Sequence, residues 1–263
     1  MTKDYFNLKD KVVIITGGAG LIGKAYVEVC ALYGARVFLA DIDDKTATKV
    51  VDSAKSETKN INVYYQRCNI ADKNDIKNLI DVILKKCGRV DALVNNAYPK
   101  NKNYGRKYES VTYENFCENV DLHLGGYFLA TQIISKQMMK QKSGVIVNMG
   151  SIYGFAAPRF EIYEGTKMTV PVEYSAIKGG ILNFTRYLAS YLGKYNIRVN
   201  CISPGGIFDD QNDKFVKKYS QKVLLGKRMA RVDDLTGVLV FLLSGASKYV
   251  TGQNIVVDGG WSV

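Results

Sequence analysis

What most constrains this chain is an alternation: short β-branched runs separated by stretches with helical spacing. "KVVIIT" (11–16), "RVFLAD" (36–41), "INVYYQRC" (61–68), "VDALVNNA" (90–97), "GVIVNMGS" (144–151), "IRVNCIS" (197–203) and "NIVVDGG" (254–260) read as strands. Between them, helices are expected from about Leu21 to Tyr33, near 112–141, from about Val172 and near 233–243, with a helix after each of the second and third strands. Strands spaced in this way form right-handed β-α-β units, so the expectation is an α/β fold with a doubly wound parallel sheet covered by helices on both faces. At 263 residues, 47% of them hydrophobic, one core suffices and a single domain, 1–263, is expected.

The first turn, "TGGAGLIG", puts Gly17, Gly20 and Gly23 between a strand and a helix. Small residues there let the backbone approach a pyrophosphate at the positive end of the helix. Asp41 ends the second strand, 18 positions after Gly23. A carboxylate in that place hydrogen-bonds the adenosine ribose hydroxyls and repels a 2′-phosphate, which favours NAD over NADP. Neither Gly18 nor Ala19 supplies a cation for that phosphate.

The formal charge of +11 is compatible with nucleic acid, an acidic membrane surface, an anionic small molecule or a solvated lysine-rich surface, and the last is the simplest reading. No aromatic-basic ribonucleoprotein motif and no apolar run of membrane-spanning length occurs, so neither nucleic acid nor membrane is expected as a partner. "MTKDYFNLKDK" lacks the apolar stretch of a signal peptide, and the five cysteines are scattered, odd in number and free of any C-x-x-C. Both point to a reducing cytoplasm. One histidine and no cysteine cluster argue against a metal site.

"TGGAGLIG", "NNAY" (95–98), Ser151 after "VNMG", "YSAIK" (174–178), "IRVNCISPGG" (197–206) and "TGQNIVVDGG" (251–260) follow one another in an order that resembles the short-chain dehydrogenase/reductase family, essentially end to end. The resemblance implies one Rossmann-fold domain with seven parallel strands, a nicotinamide cofactor, a Ser-Tyr-Lys catalytic set and a homodimer or homotetramer. It implies cofactor contacts at Gly17, Gly20, Leu21, Ile22, Gly23, Asp41, Asn69, Ile70, Asn95, Ala97, Pro204, Gly205 and Ile207, and at Tyr174 and Lys178. The glycine turn departs from the family's shorter branch: Leu21 holds a usual glycine position, which gives the spacing of the extended, sugar-modifying branch. The length leaves no room for that branch's extra domain.

Tyr-x-x-x-Lys occurs twice, at Tyr163/Lys167 and Tyr174/Lys178. Tyrosine's reference pKa near 10 is too high for proton exchange at neutral pH, and an adjacent ammonium together with a positive nicotinamide ring should favour the phenolate. Both side chains must then project from one face of a stable helix, as positions i and i+4 do. Tyr163 lies 12 residues after Ser151, near the family's usual separation, and Tyr174 lies 23 after it. Pro171, four residues after Lys167, would break a helix carrying the first pair and suits the start of a helix carrying the second. Tyr174 and Lys178 are therefore expected to be catalytic with Ser151, and Tyr163 and Lys167 to lie on an inserted loop, about 155–171, over the site.

In the implied reaction Ser151 hydrogen-bonds the reacting oxygen, Tyr174 exchanges its proton and Lys178 holds the nicotinamide ribose. Basic residues crowd the expected site mouth, Arg159 and Lys167 among them, and arginine's rigid fork suits carboxylate or phosphate. "NKNYGRKYESVTYENFCENVDLHLGGYFLATQ" and "APRFEIYEGTKMTVPVEYSAIKGG" resemble a subgroup tied to flagellin glycosylation and legionaminic-acid-type sugars. That resemblance points to an anionic sugar, phosphorylated or nucleotide-linked, contacted by Ser151, Arg159 and Tyr163. Two other readings stay open: a 3-ketoacyl reductase of acyl-carrier or polyketide substrates, and a non-catalytic NAD-binding partner of another enzyme. His123 stands where the family usually has an asparagine that holds a helix kink and a water. It is either a proton relay to Lys178 or, the preferred reading, a buried structural substitute.

Overall fold

Seven strands form one all-parallel sheet in the computed structural model, which describes residues 4–263. Met1–Lys3, the start of the segment read for a leader, lie outside the described residues. The strands are β1 (Val12–Thr16), β2 (Arg36–Asp41), β3 (Val63–Arg67), β4 (Ala92–Asn95), β5 (Gly144–Met149), β6 (Ile197–Pro204) and β7 (Asn254–Val257), in the order β3-β2-β1-β4-β5-β6-β7. The chain winds outward from β1 to β3 and then restarts on the other side of β1 at β4. Such a switch point opens a crevice beyond the carboxyl ends of the two strands.

The helices are α1 (Leu21–Leu32), α2 (Asp44–Thr58), α3 (Lys73–Cys87), α4 (Tyr113–Val120), α5 (Gly126–Gln141), α6 (Val172–Leu192), α7 (Asp213–Lys222) and α8 (Thr236–Leu243). Alternate residues of β1 serve opposite faces, as the strand's twofold period requires. Val13 and Ile15 pack with Tyr26 and Val27 of α1, Val50 of α2 and Leu239 of α8. Ile14 packs with Ile76 and Leu79 of α3, Ile134 of α5 and Leu188 of α6. This two-sided burial explains why the strands are near-continuous apolar runs.

Two elements differ from the sequence expectation. The single helix expected over 112–141 is broken by a π-helical turn, Asp121–Gly125, that carries His123 into the interior at 1% exposure. Gly126, just after it, lies against Ile70, where a β-carbon would come within 2.8 Å of Cδ1. The second is α7, which was not expected. Its charged sequence hides a short apolar face, Phe215 and Tyr219 one turn apart, and Asn212 caps it by accepting from Lys214 N at 3.0 Å. Between β5 and α6, the segment expected as a loop holds two single 3₁₀ turns, Ile152–Gly154 and Phe160–Ile162. Pro171 sits at the N-cap of α6 with φ −64°.

Candidate active site

Gly17 leaves β1 with φ +63°, and a β-carbon there would sit 2.5 Å from the Ala97 Cα after β4. At Gly23 a β-carbon would meet the Gly17 carbonyl oxygen at 2.1 Å. Both positions require glycine, so the turn folds back tightly onto α1. No side chain caps α1 and no acid stands in its first turn, which leaves its N-terminal amides facing the crevice. Asp41 accepts from Ala19 N through Oδ2 at 2.9 Å, and from Ile42 N through Oδ1 at 2.7 Å. A cavity of about 480 Å³ follows, lined by Gly17, Gly20, Leu21, Ile22, Gly23, Asp41, Asn69, Ile70, Ala97 and, beyond the expected set, Cys68, Asn96 and Tyr98.

Asn95 is corrected. Its side chain is fully buried behind that wall, where Nδ2 donates to Thr131 Oγ1 at 2.9 Å and Asn148 Oδ1 at 2.8 Å. The cavity is lined instead by Asn96, whose Nδ2 donates to the carbonyls of Thr16 and Gly17, each at 3.0 Å. Strand alternation was the available signal, since adjacent residues at a strand end face opposite ways. Pro204 ends β6 and Gly205 and Ile207 follow it, off the wall of this cavity; Gly205 N donates to Val257 O at 3.0 Å and Ile207 packs into the core.

Tyr174 and Lys178 lie on the first turns of α6, whereas Tyr163 and Lys167 lie on the preceding segment outside any α-helix. Ser151 follows β5; its Oγ accepts from Tyr153 N at 3.2 Å and bonds the Tyr174 hydroxyl. Lys178 is buried, donates from Nζ to Met149 O at 2.7 Å, and stands 5.5 Å from the centre of the Tyr174 ring. Burial pulls its ammonium down to about 8. Within the protein itself burial raises the Tyr174 phenol above its ordinary value, and hydrogen bonding from Ser151 works against that. His123 is edge-on to Tyr98 and Tyr127, with ring centres 5.1 Å away in each case, and neither ring nitrogen has a hydrogen-bond partner among the described residues. Burial, then Lys178, holds its pKa well below 6.5.

The segment between β5 and α6 is built on aromatic rings. Tyr163 OH and Tyr153 OH are 3.1 Å apart, Tyr153 meets Trp261 edge-on at 5.8 Å, and the Arg159 guanidinium lies 4.7 Å from the centre of the Trp261 ring. Lys218 of α7 donates to the carbonyls of Glu161 at 2.9 Å and Glu164 at 3.1 Å, tying the segment down.

Residues 18–262 match the family profile described as enoyl-(acyl carrier protein) reductase. The chain belongs to the short-chain dehydrogenase/reductase family. It is 40% identical to a post-translational flagellin modification protein A from Campylobacter coli, over 97% of this chain and 100% of that protein. It is 34% identical to a 3-oxoacyl-acyl-carrier-protein reductase from Thermotoga maritima, over 96% of this chain and 98% of that one. A short-chain dehydrogenase from Leptospira borgpetersenii, solved with bound NAD+, superposes with a TM-score of 0.87 at 35% identity, covering 100% of this chain and 97% of the other.

As a member of this family the chain is an NAD(P)-dependent oxidoreductase. The family's dinucleotide fits the residues present: the Gly17–Gly23 cradle that a β-carbon would fill, the uncapped start of α1, and a carboxylate at the end of β2. No helix among the described residues is long and apolar enough to cross a membrane.

Proposed function

We propose that this enzyme interconverts an alcohol and a carbonyl on an anionic sugar, phosphorylated or nucleotide-linked, with NAD as the preferred cofactor. The bound nicotinamide supplies the hydride chemistry. Ser151 hydrogen-bonds the reacting oxygen, Tyr174 exchanges its proton, and Lys178 holds positive charge beside the phenol. A buried phenol needs that charge, because desolvation alone works against the phenolate. Asp41 disfavours a 2′-phosphate by charge and already accepts three backbone N–H groups that fix its direction.

Arg159 carries the substrate reading. Its guanidinium is held on the Trp261 ring with no carboxylate paired to it among the described residues, and Trp261 connects through Tyr153 to Ser151. A stacked arginine keeps its planar fork free for carboxylate or phosphate oxygens. The Campylobacter coli relative supports a role in flagellin modification, and the free thiols suit a cytoplasmic enzyme. The Thermotoga maritima relative favours a second reading, reduction of carrier-bound 3-ketoacyl groups, for which a basic rim would meet an acidic carrier. Half-exposed Phe128 beside Phe184, and the stacked Tyr187 and Tyr191, give α5 and α6 an apolar outer face suited to a homodimer or homotetramer.

Assaying NAD(H) turnover on sugar phosphates and nucleotide sugars against acyl thioesters tests the reading. Sugar turnover should be abolished by Tyr174→Phe with NAD affinity unchanged, while Tyr163→Phe keeps most of kcat and shifts KM. Arg159→Ala should raise KM about tenfold or more, the scale of one charged hydrogen bond. Turnover confined to thioesters would replace the sugar reading with the second one.

A further inference from the structure

Tyr98 has no part in the proton transfer, yet it occupies the centre of the site. It lines the cofactor cavity, keeps 43% of its surface exposed, and meets the Tyr174 ring edge-on with centres 5.8 Å apart. On its other side it meets His123 at 5.1 Å. Its hydroxyl is bonded to that of Tyr104. Burial raises both phenols, but the bond between them acts in opposite senses, lowering Tyr98 and raising Tyr104. Either oxygen can supply the proton of that bond, and with Tyr104 supplying it the Tyr98 hydroxyl keeps its own proton to donate.

The loop bearing this pair is pinned from below. Tyr104 N donates to Asn101 O at 3.3 Å, and Asn101 N donates to Asn119 Oδ1 at 2.9 Å. Asn119, fully buried on α4, donates from Nδ2 to Glu173 Oε1 at 3.2 Å. Glu173 is 1% exposed and directly precedes Tyr174 on α6. A surface loop is thereby referenced to the first turn of α6 through buried polar bonds, whose loss is costly in a low dielectric.

We propose that Tyr98 is a specificity-determining residue that donates a hydrogen bond to a second substrate oxygen beside the reacting carbon, and that Tyr104 and the Asn101–Asn119–Glu173 chain position it. A vicinal hydroxyl is the group it selects. The proposal rests on Tyr174 marking the reacting carbon; it does not depend on an anion at Arg159.

Two uncharged probes test it: cyclohexanol and trans-cyclohexane-1,2-diol, their dissociation constants measured by ligand-observed NMR on the NADH-loaded enzyme, a dead-end complex. The wild type should prefer the diol about fivefold to tenfold, the scale of one net hydrogen bond. Tyr98→Phe, which keeps the ring contacts, should erase the preference and leave cyclohexanol binding unchanged. Tyr104→Phe should weaken the preference in the wild type and add nothing in the Tyr98→Phe background. Glu173→Ala should weaken it, and Glu173→Gln, which keeps an acceptor for Asn119, should restore it. Arg159→Ala should leave it intact, so the anion reading can fail without touching this one. No diol preference in the wild type, or one that survives Tyr98→Phe, overturns the proposal, as does its loss in Arg159→Ala.

Discussion

Lys178 is a buried cation whose proton is held less firmly in the fold than in water. The unfolded chain keeps that proton up to about 10.5, while the folded chain releases it from about 8. Over that window the unfolded state binds more protons, so this group's contribution to stability rises with pH. Below about 8 the charged lysine costs the fold its desolvation, on the order of 3 kcal/mol by the size of the shift. Lys178→Met should therefore raise stability at pH 7 by about 1–2 kcal/mol, since the orphaned Met149 carbonyl takes back about 1 kcal/mol. A few degrees' gain in Tm with turnover lost is the expected result; a lower Tm would mean that the ammonium stabilises the fold. His123 is depressed too, so the unfolded chain protonates first as pH falls through 6.5 and stability is lost toward acid. Burial and the Lys178 charge both disfavour its protonated form, the direction a structural role calls for. His123→Asn should leave the pH–kcat/KM profile between pH 6 and 8 unchanged, and an inflection that vanishes in the variant would restore the relay.

At the scale of elements, β2 and the glycine turn are one unit. Asp41 ends the strand and receives the Ala19 N–H, so the carboxylate we propose to discriminate between cofactors also holds the turn in place. Asp41→Ala removes both functions at once and should weaken NAD and NADP together. Asp41→Asn keeps an acceptor for Ala19 while removing the charge, so it should narrow the NAD preference by about tenfold, roughly 1.4 kcal/mol of lost repulsion. The ratio of kcat/KM for the two cofactors reads this out directly. A wild-type preference for NADP would refute the role given to Asp41. The π turn before α5 is a second unit of this kind, because it places His123 against Tyr98 and leads into Gly126, which lies against Ile70.

Across the whole molecule, a polar ladder runs through the centre of the sheet. Asn95 of β4 bonds Asn148 of β5, whose Nδ2 donates to Thr185 Oγ1 of α6 at 3.0 Å. α6 carries Tyr174 and Lys178, so this ladder fixes that helix against β4 and β5. Asn95→Ala would leave Asn148 and Thr131 short of buried partners, and should cost about 2–3 kcal/mol. Chemical denaturation should show that loss while NAD affinity of the folded fraction stays near wild type. A selective fall in NAD affinity at full stability would put Asn95 back in the cofactor site.

Local physics decided much of this in the sequence. The strands are legible because burial on both faces leaves long β-branched runs, and Pro171 decided between the two tyrosine–lysine pairs because a proline starts a helix and cannot continue one. The Gly17–Gly23 turn and Asp41 were legible for the same reason: short-range backbone geometry leaves few residue types able to stand there. What depended on distant segments was not legible. Strand alternation sets Asn95 and Asn96 facing opposite ways, but only the packing of α5 and β5 decides which one is structural and which a wall of the cavity. The raised phenol of Tyr174 follows from how far neighbouring elements shield it from water, a quantity no spacing encodes. The pairing of Tyr98 with Tyr104, and the buried chain from Asn101 to Glu173, joins a loop, α4 and α6. Such contacts exist only once three separately encoded pieces have docked.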